Sequence, residues 1–257
     1  MLVARPVAVL VRSLVLEARR GGLPWLALAA VAVGLGLAAF VSQVALTESR
    51  ALQAALLAAV WRGCAVFLVA TQVTASTLRE IQDKGLELMM SLPLSRSTQY
   101  LARLAGFAAC GAVLAIVFAL PLLVWARPGA VLLWGVSLAC EAGLVAAAAL
   151  FFAMTLQQFV PALTATAGLY LLGRSIGAIQ AMAAANFGDP SFASRLAEYT
   201  VDAIALVLPR LEAVTRTAWL LYEPPSVSAY AAAIGSLVLY ALLLAAGGLF
   251  DFHRRNL

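Results

Sequence analysis

The sequence predicts an all-α polytopic membrane protein with six transmembrane helices, and three observations support this fold class. Hydrophobic residues make up 64% of the 257 residues and charged residues only 11%, whereas soluble domains contain about 45–50% and about 25%. Six apolar runs approach or exceed the roughly 20 residues that cross a bilayer. Most Lys and Arg residues flank these runs, as membrane anchors do. A soluble domain and a disordered chain are both excluded.

The elements follow in order along one domain, residues 1–257. Apolar residues between 7 and 18 recur at helical spacing with arginines on the other side, which predicts an interfacial amphipathic helix within 1–23. A charged loop at 79–97 and an extracytoplasmic cap of two short helices at 183–226 separate some of the spans. A hairpin turn is expected near Gln157, Gln158 and Pro161. The predicted spans are 24–46, 54–78, 104–126, 130–156, 159–182 and 227–250.

The distribution of basic residues orients the spans. An even number of spans places both termini on the same side of the membrane. With the termini inside, ten Lys and Arg residues fall in cytoplasmic segments and five in outer segments. Because cytoplasmic segments carry the excess of positive charge, both termini are expected in the cytoplasm. The net charge of +5 is therefore explained by membrane anchoring, and it does not indicate nucleic-acid binding.

Three charged residues interrupt the predicted spans: Arg62, Glu141 and Arg174. They fall at similar depths from the outer side, so they could form one cluster. Ionisable groups at membrane depth normally face a partner or a wet cavity. Two interpretations stay open: a polar lining or gate of a translocation path, or a structural group that orients the helices. Gln72, in the polar second half of span two, is a further candidate for the path or for packing against a neighbouring span.

Catalytic motifs are scarce in this sequence. The single histidine, His253, lies in a basic cluster after the last span, and the three cysteines lie in apolar runs. The single lysine, Lys84, precedes Gly85 and not Ser or Thr, so a Walker A phosphate-binding loop is absent from the sequence. We therefore expect no catalytic residues, no metal site and no enzymatic activity of the chain's own.

The loop after span two has a helical pattern with two faces. Ile81, Leu88, Met89 and Leu92 share an apolar face, and the opposite face carries Glu80, Asp83, Lys84 and Glu87. Pro93 is expected to end this helix, and Ser95 or Ser97 to cap the next one. From the pattern alone, a solvated helix at the membrane interface is also an adequate interpretation.

This loop resembles the signature of ABC-2-type transporter permeases. The matching positions are Gly85, Glu87, Leu88, Leu92, Pro93, Ser95, Arg96, Tyr100 and Arg103. The resemblance implies the permease subunit of an exporter in a bacterial inner membrane, paired with a second copy or a homologous permease. It also implies two cytoplasmic ABC ATPase subunits, which bind ATP-Mg. Membrane lipids and periplasmic accessory proteins are further partners that the resemblance allows. The implied coupling residues are Glu80, Asp83, Lys84 and Glu87 for docking, with Pro93 and Arg96 joining the loop helix to span three.

Two other functions stay open. The first is an ion-coupled secondary transporter that uses Arg62, Glu141 and Arg174 as its site. The second is a membrane enzyme or assembly scaffold whose site lies in the 183–226 cap. The sequence contains no motif that identifies a transported substrate.

Overall fold

The computed structural model describes residues 4–44, 49–83, 95–186, 192–222 and 225–254. These residues form helices and turns and no strand. The helices are α1 (Ala4–Arg20), α2 (Leu23–Val44), α3 (Ser49–Gln82), α4 (Arg96–Leu122), α5 (Pro128–Leu156), α6 (Phe159–Asn186), α7 (Phe192–Val207), a 3₁₀ turn (Leu211–Ala213), α8 (Ala218–Leu221) and α9 (Val227–Arg254).

Six of these helices are long and apolar enough to cross a membrane, namely α2, α3, α4, α5, α6 and α9. The predicted fold class and span count are confirmed, and the chain is a multi-pass membrane protein. The helices differ from the predicted spans chiefly in length. Helix α3 continues through Arg79 to Gln82, and α4 begins at Arg96, eight residues before the predicted span. Hydropathy marks the apolar part of a helix, whereas the helix itself continues until a residue breaks it.

Helix α5 lies at the centre of the bundle and packs against α3, α4, α6 and α9. Its second half contains the small residues of 146–149, all buried, which let neighbouring backbones approach closely. Helices α2 and α9 are peripheral, and large side chains such as Trp25 and Leu239 are exposed on them. The interior therefore surrounds α5, and the peripheral helices present apolar side chains outward, as lipid-facing helices do.

The short helix α1 packs along α4. Leu14 and Ala18 are buried, while Arg12 and Arg19 are exposed. Gly106 of α4 makes this contact possible, because a Cβ atom there would lie 2.7 Å from Leu14 Cδ1. Part of the apolar face that the sequence predicted for the interface is thus used inside the bundle.

The two ends of the bundle differ in what they carry. We call the end with the α4–α5 turn and residues 192–222 the cap end, and the other the terminal end. At the cap end, Trp125 Nε1 donates a hydrogen bond of 2.6 Å to Gln53 Oε1 of α3. At the terminal end, α5 stops at Gln157, whose φ of 53° is left-handed. This residue reverses the chain into α6, so the predicted hairpin is confirmed.

Candidate functional site

The three charged residues predicted inside the spans converge at the middle of the bundle. Arg62 lies on α3, Glu141 on α5 and Arg174 on α6. Each residue is about 12 or 13 residues from the cap end of its helix, which corresponds to roughly 18–20 Å at the helical rise. We call Arg62, Glu141, Tyr170, Arg174 and Thr215 the central cluster.

Glu141 is the innermost member of the central cluster and has no exposed surface. Arg174 Nη1 lies 3.7 Å from its Oε1 atom, and Tyr170 Oη donates a hydrogen bond of 2.9 Å to the same oxygen. Thr215 Oγ1 donates to Oε2. Both carboxylate oxygens are therefore bonded, as a charge buried at this depth requires.

The two arginines bind the main chain of the cap. Arg174 Nη1 donates to the carbonyl oxygens of Leu211, at 2.6 Å, and Val214, at 2.9 Å. Both arginines reach the carbonyl oxygen of Thr215, Arg62 through Nη1 at 3.0 Å and Arg174 through Nη2 at 3.5 Å. We call residues 211–215 the clamped segment, because side chains from three spans hold it among them.

The clamped segment enters the interior of the bundle. Leu211, Val214 and Thr215 are each at most 1% exposed. Thr215 adopts a φ of 52°, a left-handed conformation that is costly for a β-branched residue. Its hydrogen bond to Glu141 and the two arginine contacts at its carbonyl hold it in this conformation.

Two glycines on α6 make room for this approach. A Cβ atom at Gly173 would lie 2.7 Å from the carbonyl oxygen of Pro209, and one at Gly177 would overlap the carboxyl group of Glu212. The Gly-x-x-x-Gly spacing in span five therefore serves contact with the chain's own cap. Gly168 lies on a different side of α6, and a Cβ atom there would have nothing within 4 Å.

Gln72 does not belong to the central cluster. It lies ten residues beyond Arg62 on α3, or about 15 Å along the helix, and its Oε1 atom is near Gly21 in the α1–α2 turn. The neighbouring hydroxyls of Thr74, Ser76 and Thr77 are buried, and none has a hydrogen-bond partner within the described chain. The polar half of span two is thus turned toward neighbouring helices, which favours the packing interpretation.

A second charged group lies at the terminal end, where the predicted coupling loop leaves and re-enters the bundle. Glu80 Oε2 lies 2.5 Å from Arg103 Nη1, and these side chains are 25% and 5% exposed. Arg79 and Glu17 form a more exposed pair at 3.9 Å. The Glu80–Arg103 ion pair joins the end of α3 to the first turns of α4, so the two ends of the loop are fixed to each other.

The remaining coupling residues have different positions. Asp83 is exposed just after α3, and its backbone N–H donates to the Arg79 carbonyl oxygen at 2.9 Å. Arg96 is half-buried in the first turn of α4, where Ser95 Oγ accepts a hydrogen bond from the Thr98 N–H and caps the helix. Lys84, Glu87 and Pro93 lie outside the described residues. The predicted loop helix lies only partly within them, and its first residues, Glu80 and Ile81, belong to the last turn of α3.

The sequence analysis missed Tyr170 and Thr215, and it did not predict the ion pair of Arg103. Tyr170 carries a signal that could have found it, because it precedes Arg174 by four residues and so shares its helix face. Arg103 was recognised only as a match to the family pattern. Thr215 carries no signal, since its role depends on how the cap folds back into the bundle. The described residues include no group of three or more His, Cys, Asp or Glu side chains placed to hold a metal ion.

Comparison of the chain with models of protein families and with curated proteins finds no match.

Proposed function

We propose that the chain is the membrane-spanning permease subunit of an ABC exporter, powered by a separate cytoplasmic ATPase. The sequence of 79–103 is the observation that carries this proposal, and the Glu80–Arg103 ion pair at its base supports it. A loop that transmits force needs both of its ends fixed to the spans. The ion pair provides this, because a displacement of the loop would move α3 and α4 together.

The proposed mechanism is a shift between two states of the bundle. ATP binding draws two docked ATPase subunits together, and the loop of each permease copy moves with its partner. Helix α3 carries this movement to Arg62, which is bonded to the clamped segment. The bundle then changes from inward to outward access, and nucleotide drives the change only through different affinities for the two states.

The orientation and assembly belong to the same proposal. Both termini and the 79–97 loop lie in the cytoplasm of a bacterial cell, and the cap faces outward. Two copies of the chain, or this chain and a homologous permease, form the path together with two ATPase subunits. The chain contributes no catalytic residue, and ATP-Mg is bound by the partner.

The test is a purification of the full chain from its native membrane in mild detergent, followed by a search for a co-eluting ATPase. Reversing the loop charges, with Asp83→Lys, Lys84→Glu and Glu87→Lys combined, should release the ATPase. The matched control is Arg20→Glu, which reverses an exposed charge at the same end but outside the loop. Equal ATPase retention by the triple variant and the control would contradict the proposal.

Ion-coupled secondary transport is a second candidate, and the buried carboxyl group of Glu141 is the observation that favours it. Carboxyl groups at membrane depth are common proton and ion sites. This function predicts substrate flux in proteoliposomes that a proton or sodium gradient drives without nucleotide, and that Glu141→Gln abolishes. Flux that requires ATP and the co-purified ATPase, and that persists without a gradient, would exclude it.

A further inference from the structure

The central cluster contains two arginines and one carboxylate. Glu141 is paired with Arg174, and both of its oxygens already accept hydrogen bonds. Among the described residues, no carboxylate oxygen lies within 4.0 Å of Arg62. One positive charge at the middle of the bundle is therefore not paired within the described part of the chain.

The hydrogen bonds of Arg62 lead to the same conclusion. A guanidinium group has five N–H donors, and in the described chain Arg62 makes one hydrogen bond, from Nη1 to the Thr215 carbonyl oxygen. Its side chain is half-buried and not enclosed. The next residue on α3, Gly63, is exposed and has nothing within 4 Å of the position a Cβ would occupy. The surface of α3 next to Arg62 is therefore not covered by the described chain.

The depth of Arg62 limits what can occupy this space. The residue is 13 positions from the cap end of α3 and 20 from its other end, so lipid headgroups at either surface are not at its level. Unpaired charge is disfavoured at such depth. A further counter-charge beside Arg62 would offset this cost, and a guanidinium binds phosphate and carboxylate groups through paired N–H donors.

We propose that the open side of Arg62, with Arg174 beside it at the Thr215 carbonyl, is a binding site for an anionic group of the transported substrate. The group is a phosphate or carboxylate, carried either by an amphiphile or by a small soluble anion. That the anionic group belongs to a transported substrate rests on the proposed export function. The binding of an anion at Arg62 does not depend on that function. Loss of the ATPase partner would remove the transport role and leave the binding site.

The first experiment measures thermal unfolding of the purified full chain in a neutral maltoside detergent. The probes are phosphatidylglycerol, the zwitterionic phosphatidylcholine with the same acyl chains, and inorganic phosphate. We expect a saturable rise in Tm with phosphatidylglycerol and not with phosphatidylcholine. A rise with inorganic phosphate identifies a soluble anion as sufficient, and a rise with phosphatidylglycerol alone identifies an anionic amphiphile.

Variants assign the effect to the site. Arg62→Gln should abolish the saturable rise in Tm, and Arg62→Lys, which keeps the charge, should retain part of it. The control is Arg127→Gln, an exposed arginine at the cap end, which should behave as the unaltered chain. A rise that is the same in all variants, or absent with both anions, would overturn the proposal.

A second measurement does not depend on the folding of Arg62→Gln. Gly63→Cys is introduced after Cys64, Cys110 and Cys140 are replaced by Ala, and the new thiol is labelled with an anionic or a cationic methanethiosulfonate. After normalisation to a free thiol, the anionic reagent should react at least several-fold faster, and Arg62→Lys should preserve this preference. Equal normalised rates, or no reaction with either reagent, would contradict an open and positively charged site.

Discussion

Glu141 has no exposed surface. Among the described residues, its carboxylate is the only one that pairs with an arginine at the middle of the bundle. It also bonds to Tyr170 and Thr215, so one side chain joins α5, α6 and the cap. Replacing Glu141 by glutamine removes the negative charge that pairs with Arg174. It also places an NH₂ group, which is a donor, where one carboxylate oxygen accepts a hydrogen bond from a hydroxyl. The loss of stability comes mainly from the buried partners of Glu141, which are left without an acceptor or a counter-charge.

We expect Glu141→Gln to lower the free energy of unfolding by roughly 1.5–3 kcal/mol, the range for hydrogen bonds to charged groups. The measurement is reversible unfolding in mixed micelles with increasing dodecyl sulfate. The double variant with Arg174→Gln should lose less than the sum of the two single variants, because the pair is coupled. Additive losses would show that the ion pair contributes no coupling energy.

Glu80 is distinguished from Asp83 by its contacts, although the sequence places both on one charged face. Glu80 is bonded to the buried Arg103, and Asp83 is exposed. We therefore expect Glu80→Gln to lower the Tm of the isolated chain, and Asp83→Asn to leave it unchanged within error. Thermal unfolding of the purified chain without any ATPase makes the comparison. Equal Tm values for both variants would show that the Glu80–Arg103 ion pair does not stabilise the bundle.

At the level of elements, α6 and the cap form one packed unit. Gly173 allows the Pro209 backbone, and Gly177 the carboxyl group of Glu212, to lie against α6. Gln180 Nε2 donates to Asp202 Oδ1 of α7 at 2.9 Å. Tyr240 of α9 adds a hydrogen bond of 2.8 Å to the Leu206 carbonyl oxygen. The cap is therefore attached at several points along α6 and α9, and the clamped segment is its deepest point.

Gly173→Ala should loosen the cap, because its Cβ atom would meet the Pro209 carbonyl oxygen. We expect faster hydrogen exchange at the amides of residues 211–222, with a smaller effect elsewhere. Gly168→Ala is the matched control, since it adds the same methyl group to open space on the same helix. Alanine is also the better helix former, by about 1 kcal/mol. Similar exchange in both variants would contradict the close packing of α6 against the cap.

The sequence predicted some of these elements well and others poorly, for physical reasons. The spans follow from hydropathy, which depends on local composition, and the Gln157 hairpin follows from a short polar interruption. The shared depth of Arg62, Glu141 and Arg174 also follows from counting residues along helices. The hydrogen bonds of the two arginines do not, because their acceptors are carbonyl groups of 211–215, and every residue has a carbonyl group. The residue types in the sequence therefore do not indicate which carbonyl groups accept hydrogen bonds from the arginines.

For the whole molecule, the central position of α5 and the peripheral positions of α2 and α9 define which surfaces meet lipid. The α4–α5 turn and the described cap lie at one end, and α1, the Glu80–Arg103 pair and the end of α9 lie at the other. The excess of basic residues is at the terminal end. The positive-inside rule therefore assigns that end to the cytoplasm as an expectation.

This orientation predicts opposite labelling of two exposed positions in a chain whose three cysteines are replaced by Ala. Tyr222→Cys, at the cap end, should react with a membrane-impermeant maleimide in intact cells. Gln82→Cys, at the terminal end, should react only after the membrane is permeabilised. The reverse pattern would place the 79–97 loop outside the cell and remove the proposed ATPase contact.

The clamped segment also bears on the order in which the protein assembles. Arg62, Glu141 and Arg174 are synthesised before residues 211–215, so two arginines enter the bilayer while the carbonyl groups that bind them are still on the ribosome or in its exit tunnel. Nascent chains that stop after α6 would keep these guanidinium groups without their final acceptors. The last fifth of the polypeptide thus completes the interior of the preceding four fifths, and premature termination would expose a defect that membrane quality control can recognise.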